Sequence, residues 1–69
     1  MNARIKKFGL LMCVGGSNTV LEETSAFTQR QAIAQLSPRC PVTLNEEGYA
    51  KISNTTYTVA EYFHNGVGA

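Results

Sequence analysis

The sequence predicts a small α+β domain: one antiparallel sheet of ββαβββ order with a single short helix packed on one face. Three observations carry that expectation. Ile5 to Val14, IKKFGLLMCV, reads as a strand whose apolar run ends in Gly15-Gly16. Phe27 to Ser37, FTQRQAIAQLS, has helical spacing and a start signal. From Pro41 onward, β-branched and aromatic residues alternate around two compact turn signals. A chain of 69 residues accommodates one domain, expected over residues 1–63, with His64 to Ala69 as a flexible tail. A domain of that size buries only about 60% of its unfolded surface, so self-association is the natural way to add stability.

The opening run could be an export signal, a lipid-attachment site or a strand. Arg4, Lys6 and Lys7 imitate a basic leader, but Gly9 interrupts an apolar segment that is barely long enough. Leu10-Leu11-Met12-Cys13 approaches a lipobox, with Met12 where that motif takes a small residue. The run falls well short of the roughly 20 apolar residues of a membrane-spanning helix. A buried strand with a Gly-Gly turn is the expected reading, and no membrane partner is anticipated.

After that turn, Thr19 to Thr24 reads as a returning strand. A helix started at Thr19 would set Glu22 on the same stripe as Ile33 and Leu36. The true helix begins at Thr28, whose hydroxyl can cap while Gln31, three residues on, completes a capping box. Phe27 and Ala32 are placed to form a hydrophobic staple. The helical period gathers Ala32, Ile33 and Leu36 into one stripe, and Pro38 stops the helix.

The remainder reads as a three-stranded meander. Asn45-Glu46-Glu47-Gly48 is expected as a type I turn with Gly48 left-handed, so that Asn45 faces Tyr49 and Val42 faces Ile52. Asn54-Thr55 as a two-residue turn would set Ile52 opposite Tyr57 and Ala50 opposite Val59. Both turns send Val42, Leu44, Ala50, Ile52, Tyr57 and Val59 to one side, the core side. Thr43, Tyr49, Lys51, Thr58, Ala60 and Tyr62 then fall on the open side.

Composition narrows the function. The net charge is +1, and 16% of residues are charged against 43% hydrophobic, a globular balance that does not select a polyanionic or polycationic partner. Cys13 and Cys40 lack any zinc spacing and are too sparse for a disulfide scaffold. They are expected to be reduced core thiols in the cytoplasm, with one bridge as the alternative. The sole histidine, His64, adjoins the tail with no nucleophile beside it in sequence. Gly15-Gly16-Ser17-Asn18 lacks the lysine of a phosphate-binding loop, and Asn54-Thr55-Thr56, although a glycosylation sequon, is better explained as a turn. Glu61 shares the core side and is expected to act as an edge charge rather than a buried acid. No catalytic, metal or cofactor site is anticipated.

The feature that suggests a function is the open side of the sheet. Tyr49, Lys51, Tyr62, Thr43 and Thr58 form a surface with two tyrosines, which supply interface area at low entropic cost. The Glu46-Glu47 hairpin tip extends it. The expected role is a small non-catalytic protein-binding module that masks a surface of a host protein. In its compactness and lack of sites the chain resembles the inhibitory accessory proteins of phages and mobile elements. A nucleic-acid-binding regulator that stacks bases on Tyr49 and Tyr62, with Lys51 and the basic start, is the alternative. Assembly into a larger particle through the apolar start is a further one.

Overall fold

The structure is a computed structural model and describes residues 4–62. Four antiparallel strands form one open sheet, with one helix in ββαββ order. Strand β1 is Lys6–Val14 and β2 is Ser17–Ala26, followed by helix α1, Gln29–Leu36, and a 3-10 turn at Ser37–Arg39. Strands β3, Tyr49–Ile52, and β4, Thr55–Glu61, complete it, and the spatial order is β2-β1-β4-β3. The expected tail and Phe63 lie outside the described residues.

The opening run is therefore a strand, paired on both sides. It turns back through Gly15 and Gly16, with φ of 57° and 91°. Glycine adopts such angles without strain, and the tight two-residue turn lets Val14 face Ser17 directly. Strand β2 thus starts two residues earlier than expected and runs to Ala26. Between Leu10 and Leu11 the β1–β2 register shifts, so Leu21 stands opposite no β1 residue. This bulge moves Val20 onto the open side while Thr24 and Ala26 stay beneath the helix.

Helix α1 begins as the sequence indicates. The Thr28 hydroxyl accepts from the Gln31 N–H at 3.2 Å, and the Gln31 side chain accepts from the Phe27 N–H at 2.8 Å. Phe27 itself remains 46% exposed. Ala32 and Leu36 are fully buried against Phe8, Leu10, Ala26 and Val59, with Leu21, Ile33, Cys40, Leu44 and Tyr57 packed around them. These residues are the core, and they lie on one side of the sheet.

Two expectations about the C-terminal half change. Residues 40–48 are not a strand, so the sheet has four strands rather than five. Cys40, Val42 and Leu44 are half-buried and alternate with exposed Pro41 and Thr43, as in a strand. The chain leaves the helix layer here, and Cys40 and Leu44 pack on the core before it reaches the sheet. Backbone pairing begins only at Asn45, whose N–H donates to the Tyr49 carbonyl at 3.0 Å. The second hairpin turns at Ser53-Asn54 rather than Asn54-Thr55, so Ile52 faces Thr55 and Ala50 faces Tyr57. The shift is two residues, an even number, and every side chain keeps its expected side.

Candidate functional site

Side follows from parity in a sheet. Val59 is buried under the helix, so Thr58 and Ala60 point away from it. Pairing carries that open side across the molecule. Thr58 faces Tyr49 on β3 and Leu11 on β1, and Leu11 faces Val20 on β2. Val20, Leu11, Thr58 and Tyr49 thus form a row that crosses all four strands. Asn18, Cys13, Thr56 and Lys51 form the next row toward the hairpin turns. Glu23, Gly9 and Ala60 form the row on the other side. Val20 is 42% and Tyr49 41% exposed, each on an edge strand at one end of the row.

Of the residues singled out from sequence, Tyr49, Lys51, Thr58 and Tyr62 share this face. Thr43 does not: it is exposed in the loop that replaces the expected strand. Glu46 and Glu47 are exposed at the hairpin tip, where the Asn45 carboxamide oxygen accepts from the Glu47 and Tyr49 N–H groups at 2.8 and 3.1 Å. Gly48 closes that turn with φ of 76°, the left-handed position expected for it. Glu61 is exposed on β4 beyond the end of β3, so its outer flank is a local edge. Cys13 and Cys40 are both free and half-buried. Only Cys40 packs against the core; Cys13 lies on the open side, contrary to the expectation of two core thiols.

Tyr62 has a specific job within the face. Its hydroxyl donates to Glu23 at 2.9 Å, spanning β1, and its ring lies over Gly9. A Cβ on Gly9 would sit 3.3 Å from that ring, so the glycine leaves room for it. The hydrogen bond to Glu23, then partial desolvation and the nearby carboxylate charge, raise the Tyr62 phenol above its usual value of 10.0. Lys7 completes the group at 3.9 Å from Glu23. On the helix side, Glu22 is held by Arg39 at 3.3 Å. Among the described strand residues, Lys51 is then the open-side cation without a carboxylate in reach.

A second surface lies where helix α1 meets the end of β2. Ile5, Ser25, Ala26, Phe27, Gln31, Ala34 and Gln35 line a shallow groove of about 320 Å³. Ile5 and Phe27 give it two exposed apolar walls, 60% and 46% accessible. Among the described residues no cluster of three or more His, Cys, Asp or Glu side chains is arranged to hold a metal ion. No described helix is long and apolar enough to cross a membrane. Comparison with protein-family models, curated proteins and solved structures finds no match.

Leu11 and Val20, the members of the row on β1 and β2, were not legible beforehand. Nothing local in the sequence says that β1 lies beside β4, and the bulge that turns Val20 outward has no turn residue to announce it. The pairing of Tyr62 with Glu23 has the same origin, since the two are 39 positions apart in the chain.

Proposed function

We propose that this chain is a small non-catalytic protein-binding module whose open sheet face covers the surface of a partner protein. The observation that carries the reading is the Val20–Leu11–Thr58–Tyr49 row. It places partly exposed apolar side chains on three of the four strands, with Thr58 on β4 between them, on the side the helix leaves bare. Interfaces of this kind are built around an apolar centre with a Tyr anchor and a polar rim. Here Asn18, Lys51 and Glu23 supply the rim. A protein that acts in this way works by masking, the mode of small inhibitors carried by phages and mobile elements. Two free thiols fit a reducing, cytoplasmic setting.

The base-stacking alternative asks more cations of this face than it offers. Lys7 already faces Glu23, and Tyr62 is tied to that same carboxylate. Phosphate contacts dominate nucleic-acid affinity, and one free lysine supplies little of that term.

The test is affinity capture with the tagged chain from lysate, with and without nuclease, beside a Tyr49→Ala variant. A stoichiometric protein retained after nuclease and lost with Tyr49→Ala supports the reading. Recovery of nucleic acid alone, or retention that ignores Tyr49→Ala, overturns it.

A further inference from the structure

We propose that in the chain alone the open face is covered by a second copy, related by a two-fold axis that runs across the strands at the Tyr49 row. The inference rests on the reading of that face as a protein-binding surface and names its occupant. One eight-residue helix covers one side of a sheet whose two long strands have nine and ten residues. Among the described residues the fully buried core is six side chains, two of them alanines. Pairing two open faces would bury Leu11, Val20 and Tyr49 and turn two thin domains into a helix–sheet–sheet–helix sandwich, with the sheets about 10 Å apart.

Charge selects the orientation. Lys51 lies two residues from Tyr49 along β3, about 7 Å at the usual strand rise. Glu46 and Glu47 lie on the other side of Tyr49, at the hairpin tip. None of the three is in an ion pair among the described residues. A two-fold axis across the strands reverses β3 over itself, so Lys51 of each copy meets the Glu46–Glu47 tip of the other. Symmetry duplicates the contact, giving two charge clusters that flank one apolar stripe. An axis parallel to the strands would instead bring the Glu46–Glu47 tip toward Glu23 and set Lys51 over Asn18. Like charges would then meet and the lysine would lack a partner.

Edge-to-edge pairing competes poorly with this arrangement. The outer strand β2 is bulged at Leu21, and the other edge, β3, has four residues and carries Lys51. Bulges, shortness and lysine are the features that discourage edge association.

Sedimentation equilibrium of the purified full chain over a concentration series tests the proposal. The expected result is a closed dimer, with Tyr49→Ala and Lys51→Glu each raising its dissociation constant by about tenfold or more. Combining Lys51→Glu with Glu46→Lys and Glu47→Lys is expected to restore the dimer, because the swap rebuilds both clusters. Circular dichroism monitors folding throughout, and the charge swap decides the matter even if Tyr49→Ala unfolds. A monomer at every concentration, or a dimer indifferent to Lys51→Glu, overturns the proposal. In either case the capture experiment with Tyr49→Ala still judges the open face separately, since loss of a different captured protein would leave that reading standing with another occupant.

Discussion

The two sides of the sheet are built from the same four strands, yet they solve different problems. On the helix side Phe8, Leu10 and Val59 are 0–2% exposed, closed over by Ala32 and Leu36. On the open side the matching positions are Leu11, Thr58, Val20 and Tyr49, one residue along each strand, and they remain partly in water. Central β1 shows the contrast within two consecutive leucines: Leu10 is fully buried and Leu11 half-buried. An ordinary solvated sheet face would carry polar residues at such positions. The helix side is apolar because the fold requires it. The open side keeps Leu11, Val20 and Tyr49 partly in water, and the proposed association is what would cover them.

Replacing the two leucines in turn gives the largest expected effect and the sharpest form of this contrast. Leu10→Ala opens a cavity beneath the helix and is expected to cost about 3 kcal/mol, enough to lower the melting midpoint by more than about 10 °C. Leu11→Ala is expected to cost under about 1 kcal/mol in dilute solution, where only partial burial is lost. Thermal unfolding followed at several protein concentrations reads both. If the open face pairs with a second copy, the Leu11→Ala penalty grows with concentration while the Leu10→Ala penalty is large throughout. Equal penalties at high dilution would mean that the two sides are not different in kind.

Much of this contrast was legible in the sequence, and the part that was not has a common cause. Alternation in Tyr49 to Tyr62 assigned Tyr49, Lys51 and Thr58 to the open side even though the turn sits one position earlier than expected. Parity survives a two-residue slip, which is why the side was right where the pairing partners were not. The Thr28 cap, the Ala32–Leu36 stripe and the left-handed Gly48 depend on neighbours within a few residues. Those features emerged as anticipated. The false strand at Val42 to Leu44 shows the limit: inward alternation reports burial, and hydrogen bonding to a neighbour is a separate condition set by the route out of the helix layer. Strand order, the Leu21 bulge and the Tyr62–Glu23 bond depend on contacts between distant segments, for which one sequence offers no local signal.

Two glycines sharpen the comparison at a smaller scale, one on each side. Gly48 lies under the helix with φ of 76°, and a Cβ there would meet the Ile33 side chain at 2.8 Å and Val59 at 3.2 Å. Gly48→Ala combines backbone strain with a clash in a packed region, and a loss of about 2 kcal/mol is expected. Gly9 lies on the open side with ordinary strand angles, and its would-be Cβ meets only the Tyr62 ring, at 3.3 Å. Gly9→Ala is expected to cost under about 1 kcal/mol, because a ring at the surface can shift by a few tenths of an ångström. Denaturant melts of the two variants measure the difference. A larger loss at Gly9 would show that the Tyr62 ring is as firmly fixed as the core.

The smallest effect concerns that ring and its bond to Glu23. The protonated phenol donates to the Glu23 carboxylate, and its ionisation would remove the donor and set two negative charges side by side. The phenol is therefore raised in the folded chain relative to the unfolded one. The stability this bond contributes is fully present below about pH 10 and is lost as pH rises through the folded value. For an exposed bond the contribution is modest, about 0.5 kcal/mol. Glu23→Ala should remove it and bring the Tyr62 titration back toward the ordinary phenol value, read as the absorbance change missing in Tyr62→Phe. The stability gap between the native chain and Glu23→Ala should hold steady at neutral pH and narrow above about pH 10. If the gap persists there unchanged, Glu23 acts through Lys7 on β1, whose contact at 3.9 Å is the other polar contact it makes. The open face would then be fastened by its charges and merely covered by its ring.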